Sequence, residues 1–206
     1  MKRILYIIVA LSITTEGFTQ KAVEYFNRGY EKDSLQNYKG AISDYTKAIK
    51  INPVFLNAYY CRGKAKLNLQ DYRGAISDFS RTIEILPIFI PAYFTRGLAK
   101  DNIKDYSGAI ADYSKAIELY KSAGMEPNSD IYFERGTAKF NLQDYRGAII
   151  DYTQVIELDP ENAEAYYNRG IAKTNLDQKD SGCLDLSKAG ELGFADAYEA
   201  IKYLCQ

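Results

Sequence analysis

An arginine and an aspartate stand sixteen residues apart five times along this chain: Arg28 and Asp44, Arg62 and Asp78, Arg96 and Asp112, Arg135 and Asp151, Arg169 and Asp185. A guanidinium is a planar fork of donors that fits a carboxylate two bonds at a time. Two roles are open to such a set. The pairs can lock two chain segments in register, or the arginines can form an anion-binding stripe, which the matched aspartates would largely neutralise. Other chemistry is scarce. The sequence has no histidine, which excludes a histidine-based triad, proton shuttle or metal site. The glycines lie too far apart for a phosphate-cradling loop, and no carboxylate pair stands out as a general acid and base. Catalytic residues, a metal and a cofactor are therefore not expected, and neither is enzyme activity.

The elements that must position these residues are visible in the glycine that follows each arginine. Gly29, Gly63, Gly97, Gly136 and Gly170 are spaced by 34, 34, 39 and 34 residues. Four positions before each glycine is a tyrosine, at 25, 59, 93, 132 and 166. Twelve after it is a small residue (Ala41, Ala75, Ala109, Ala148, Gly182), and sixteen after it a bulky one (Tyr45, Phe79, Tyr113, Tyr152, Leu186). Pro53, Pro87 and Pro160 close three of the five units. A period of about 34 residues marks a helix–turn–helix array. Apolar and small residues recur at helical spacing, and strict strand-like alternation is absent. The segment Leu69–Tyr72 reads as the turn inside a unit, and each proline blocks further helix because it lacks an N–H. In a hairpin centred on that turn, Arg62 and Asp78 reach similar heights on facing helices, which favours the register role.

This pattern closely resembles the tetratricopeptide repeat family over about residues 22–194. Two slots depart from it: arginine precedes the glycine where the family usually has leucine, and lysine stands three after it where the family has tyrosine. The resemblance implies an all-α fold, a right-handed superhelical solenoid of antiparallel helix pairs. The expected organisation is a signal peptide over 1–20 and five repeats over 22–55, 56–89, 90–128, 129–162 and 163–194. A C-terminal cap helix follows over 195–206. No unit can bury its apolar stripe alone, so neighbours must stack. Five extra residues in the third repeat, around Gly124, Pro127, Asn128 and Ser129, are expected in the loop before the fourth. They form either a tolerated surface insertion, or a partner-contacting loop or slight bend in the superhelix. The fifth repeat is degenerate, as terminal repeats are. The wording of the tail resembles Sel1-like repeats, and a helix is expected from about Ala195 to Leu204.

In the family the first helix of each repeat lines the concave face, through slots three before, one after and five after the glycine. Here these supply a candidate partner-binding groove of Phe26, Tyr30, Tyr60, Lys64, Asn68, Phe94, Asn102, Phe133, Asn141, Tyr167 and Asn175. Rings alternating with short amides suit an extended peptide: rings bury apolar side chains and amides bond its backbone. The alternative is that the rings only pack against their own neighbours. The carboxylate clamp of chaperone-binding members is not supported, because Phe26 and Tyr30 stand where lysine and asparagine would be. The resemblance thus implies a non-catalytic interaction scaffold with a protein or peptide partner. Two rivals are a structural subunit that assembles through its convex face or ends, and a carbohydrate-binding accessory protein. A monomer is expected, with self-association as the alternative.

Composition narrows the partner. With 26 basic and 27 acidic residues, the net charge of −1 leaves no footprint for nucleic acid. The N-terminus carries Lys2 and Arg3, an apolar run over Ile4–Ile13 and a small-polar segment to Gln20. That is the layout of a secretory signal peptide, with an apolar run too short to span a bilayer. Export to a periplasmic or extracellular space is expected, with no membrane insertion of the mature chain; the alternative is an uncleaved N-terminal anchor. In such a compartment disulfides persist. A turn near Phe194 lies eleven residues from both Cys183 and Cys205, so a disulfide is expected between them, with Cys61 left as a thiol. The alternative is three cysteines serving as small apolar residues.

Overall fold

The structure, a computed structural model, describes residues 19–206, and every regular element among them is a helix. The signal-peptide segment lies almost wholly outside the described residues. Helix α1 is described over 19–34. It is followed by α2 (Tyr38–Ile51), α3 (Leu56–Asn68), α4 (Tyr72–Ile85), α5 (Ile90–Asn102), α6 (Tyr106–Ser122), α7 (Ser129–Asn141), α8 (Tyr145–Leu158), α9 (Ala163–Thr174), α10 (Lys179–Glu191) and α11 (Asp196–Leu204). The fold is the all-α solenoid type built of helix pairs. The chain forms two compact units, one ending at Ala99 and the other starting at Lys100. In the first, α3 packs on α4 and on α2; in the second, α7 packs on α8 and α9 on α10.

Close helix approach explains the recurrent glycine. A Cβ on Gly63 would stand 2.6 Å from the Phe79 ring, so any larger residue would push α3 off α4. The gain is a tight apolar seam: Ala75, Phe79 and Ala99 are fully buried, with Tyr60, Leu67 and Ile76 packed against them. Burying one such phenylalanine is worth about 2–3 kcal/mol.

The turn inside each repeat is built the same way without glycine at its tightest point. Gln70 has φ 61°, and the matching Gln36, Lys104, Gln143 and Asp177 lie between 58° and 63°. This left-handed residue lets the Asp71 amide donate back to the Lys66 carbonyl at 2.9 Å, closing the helix end. Asp71 then caps α4 by accepting from the Gly74 amide at 3.0 Å. A Cβ on Gly74 would fall 2.1 Å from the Asp71 carboxylate, so this cap and that glycine go together. Asn37, Asp105 and Asp144 cap α2, α6 and α8 alike. In the fifth repeat Gln178 precedes α10 with no side-chain cap bond, and Ser181 replaces the glycine.

The five-residue insertion is only partly a loop, contrary to expectation. Helix α6 has 17 residues where α2, α4 and α8 have 14. Lys121 replaces the proline that would have stopped it, so the helix continues until Gly124, at φ 68°, turns the chain. Pro127 is buried beyond that turn. At the C-terminus α11 packs on α10: Ala197 is buried and the Tyr198 hydroxyl donates to the Gly190 carbonyl at 3.1 Å. Cys183 and Cys205 are joined as a disulfide with Cα atoms 5.9 Å apart, and Cys61 is a free thiol.

Candidate functional site

The arginine–aspartate pairs of the first, second, fourth and fifth repeats form, and each belongs to a larger assembly. In each the arginine Nε donates to one aspartate oxygen and a terminal nitrogen to the other. The Nε distances are 2.8, 2.9, 2.9 and 2.8 Å for Arg28–Asp44, Arg62–Asp78, Arg135–Asp151 and Arg169–Asp185. A lysine completes each cluster. Lys32, Lys66, Lys139 and Lys173 lie 2.6–2.8 Å from the same carboxylates, and Lys100 pairs with Asp112 at 2.8 Å. These lysines occupy the slot three after the glycine, one helical turn beyond the arginine. The two departures from the family pattern are therefore one device. The sixteen-residue spacing reveals only the arginine's partner; the turn-by-turn spacing of Arg and Lys on one helix face is the signal for the rest.

The remaining arginine nitrogen reaches the preceding repeat. Arg62 donates to Thr46 at 3.0 Å, Arg96 to Ser80 at 2.9 Å, Arg135 to Ser114 at 3.1 Å and Arg169 to Thr153 at 3.1 Å. Each guanidinium also lies over the tyrosine three residues earlier, at 4.8–5.8 Å from the ring centre. All five aspartates are buried, none more than 7 % exposed. The donors of Arg28 hold the Asp44 carboxyl well below the usual carboxylate range, against the opposing effect of burial. With Arg62, Arg135 and Arg169 each engaged on two sides, an anion-binding stripe is not what these residues form.

The groove rings stand half-buried in each unit, with one face supported from within. In the first unit Phe26 meets Tyr45 at 5.7 Å and Phe55 at 5.1 Å. Tyr60 meets Phe79 at 5.8 Å and Phe89 at 5.1 Å. In the second, Phe133 meets Tyr152 at 5.8 Å and Tyr167 meets Phe194 at 4.7 Å. Phe94 is half-buried in the same slot. Phe55 and Phe89 come from the loops between repeats and Phe194 from the loop before α11, a contribution that spacing does not reveal because loop aromatics follow no helical period. Tyr30 is 59 % exposed, and Lys64, Asn68, Asn102 and Asn141 are exposed at or near the ends of their helices. Asn175 donates to the Ile171 carbonyl of its own helix at 2.8 Å, so one of its two amide N–H groups is already committed.

Polar groups also gather on these helices. Glu134 on α7 is pushed up to about 7, first by burial and then by the charges of Asp101, Asp130 and Glu164. Among the described residues, no group of three or more histidine, cysteine, aspartate or glutamate side chains could hold a metal. No described helix is long and apolar enough to cross a membrane.

Comparison with known proteins agrees with this geometry. The TPR repeat profile matches residues 29–70 and 129–176, and the tetratricopeptide repeat profile matches 90–122. The chain belongs to the tetratricopeptide repeat family. No curated protein matches this tetratricopeptide protein in sequence. Its fold is similar to that of MamA, with a TM-score of 0.79 and 23 % identity over 87 % of this chain and 95 % of that one. It is also similar to YrrB, a TPR protein with an unusual peptide-binding site, with a TM-score of 0.80 and 21 % identity over 94 % and 98 %. A MamA fragment from Desulfovibrio magneticus RS-1 gives a TM-score of 0.76 and 20 % identity over 84 % and 94 %. At such identities the likeness concerns the fold.

Proposed function

We propose that this protein is a non-catalytic scaffold that holds an extended peptide segment of a protein partner against the first helices of its repeats. The observation that carries the reading is the ring in one fixed slot of every repeat, at Phe26, Tyr60, Phe94, Phe133 and Tyr167. Rings braced on one face and open on the other are preorganised anchors, so little entropy is lost when a partner covers them. The peptide-binding site of YrrB, a protein of similar fold, is consistent with this use. Replacing Phe94 and Phe133 together with alanine is expected to weaken binding to a peptide array by roughly 2 kcal/mol or more per ring, with helicity by circular dichroism largely kept. Unchanged binding, or a loss that follows helicity, rejects the groove.

The protein is further proposed to act outside the cytoplasm. The Lys2–Arg3 and Ile4–Ile13 pattern and the bridged Cys183 and Cys205 support this. N-terminal sequencing of the native protein is expected to begin between about Phe18 and Ala22; a soluble cytoplasmic form starting at Met1 contradicts it.

A further inference from the structure

The second helix of every repeat carries a charge twenty-one positions after the repeat glycine, and its sign changes once. Glu84, Glu118, Glu157 and Glu191 fill that slot in the later repeats, and Lys50 fills it in the first. Each glutamate is bonded to the residue three before it. Arg81 reaches Glu84 and Lys115 reaches Glu118 at 2.7 Å, Lys188 reaches Glu191 at 3.4 Å, and the Gln154 amide donates to Glu157 at 2.5 Å. In the first repeat the residue three before is Lys47, so two cations stand one turn apart, an arrangement that repels. Lys47 lies 3.4 Å from Asp44, a carboxylate already bonded by Arg28 and Lys32. Among the described residues, neither Lys50 nor Lys21 of α1 is paired with a carboxylate.

These three lysines meet at one place. Lys21, Lys47 and Lys50 line a cavity of about 240 Å³ together with Tyr25 and Ile51, and Lys47 Nζ lies 5.7 Å from the centre of the Tyr25 ring. The wall has an apolar part and a cationic part, with no acid in it. Glu24 lines a smaller hollow with Lys21, Tyr25 and Arg28 and pairs with neither cation. A lysine in the last turn of α2 also suits the negative end of that helix, but that role asks for no second and third lysine around the same hollow. We propose that this cavity binds the phosphate of a monoester, with the apolar body of the ligand against Tyr25 and Ile51. Two negative charges relieve the repulsion among three cations better than one. Ammonium groups are point charges that close on a tetrahedral phosphate from several sides, whereas a planar carboxylate matches a guanidinium fork, and the fork of Arg28 is spent on Asp44. The volume admits a phosphate with a small attached group and no drug-sized ligand. Two sources share this chemistry, a soluble phosphate monoester and the headgroup of a monoester lipid. The site uses none of the groove residues and goes beyond the groove reading.

The test is calorimetric titration of the full chain, Lys50→Glu, Lys21→Gln and Lys39→Glu with phenyl phosphate, inorganic phosphate and benzoate. Lys50→Glu imports the residue that the later repeats carry, so the fold is expected to be kept. Lys39 is exposed at the opposite end of α2, and its substitution changes the charge equally without touching the cavity. The wild type is expected to bind phenyl phosphate saturably and more tightly than inorganic phosphate or benzoate. Lys50→Glu is expected to weaken that binding about tenfold or more, Lys21→Gln to weaken it less, and Lys39→Glu to leave it nearly unchanged. An equal loss in Lys39→Glu overturns the site, since net charge alone would then explain the binding. Tighter binding of benzoate overturns the choice of phosphate. Sedimentation with phosphatidic acid vesicles, against phosphatidylcholine vesicles, names the source. Retention that Lys50→Glu abolishes assigns the lipid headgroup, and phenyl phosphate binding without retention assigns a soluble monoester. Neither saturable phenyl phosphate binding nor Lys50-dependent retention overturns the proposal outright.

Discussion

The ion cluster of the first repeat and that of the fourth have the same residues and different surroundings. Around Asp44, Arg28 is 49 % exposed and Lys32 36 %, and Lys47 adds a third cation at 3.4 Å. Around Asp151, Arg135 and Lys139 are each 17 % exposed, and Arg135 also donates to Ser114 of the repeat before it. Covering by a preceding repeat turns a solvent-screened ion pair into a desolvated one. One motif therefore has two energetic characters, and a removed partner costs most where water cannot replace it.

The largest effect is expected from removing the centre of a covered cluster. Asp151→Ala would leave Arg135 and Lys139 facing each other without a counter-charge, and should lower unfolding stability in urea by about 3–5 kcal/mol. Arg28→Ala, at the open cluster, should move the same midpoint far less, because Lys32 and Lys47 still serve Asp44. Equal shifts would show that covering does not matter. A second contrast lies at the other end, where α11 has neighbours on one side only. Cys205→Ser opens a bridge across a sequence separation of 22 and should cost up to about 3 kcal/mol, with amide exchange rising first in α11. Uniform exchange changes would place the loss elsewhere.

The smallest effect concerns a carboxylate with no cation of its own. Glu134 titrates at about 7 in the folded chain against 4.5 for an ordinary glutamate. The folded state then binds more protons than the unfolded one between those values, so stability falls as pH rises from 4.5 to 7. Glu134→Gln should remove that part of the fall and raise stability above neutrality by on the order of 1 kcal/mol, allowing for solvent screening of a part-exposed group. No change in the pH profile would mean that its neighbours' charges are already compensated.

Much of this was readable from the chain because the repeat gives each residue four counterparts. Arg62 and Asp78 could be matched across a turn by counting, and Gly63 marked the closest approach by its recurrence. The lysine at 66 is less legible, because its family counterpart is a tyrosine and its role depends on a carboxylate that Arg62 already accounts for. The left-handed Gln70 escaped because glycine is the usual sign of that backbone shape. Helix α6 ran past its expected end because a missing proline removes a stop without supplying another.

The bond from Arg135 to Ser114 spans 21 residues, where its counterparts from Arg62, Arg96 and Arg169 span 16. The five added residues thus change the count along the chain and leave the stitch between repeats intact. Phase in this protein is kept by contacts and is indifferent to chain length at that seam. The stretch after Ser122 is accordingly a natural splice point, where a tag, a longer loop or a foreign epitope could be grafted without resetting the repeats that follow.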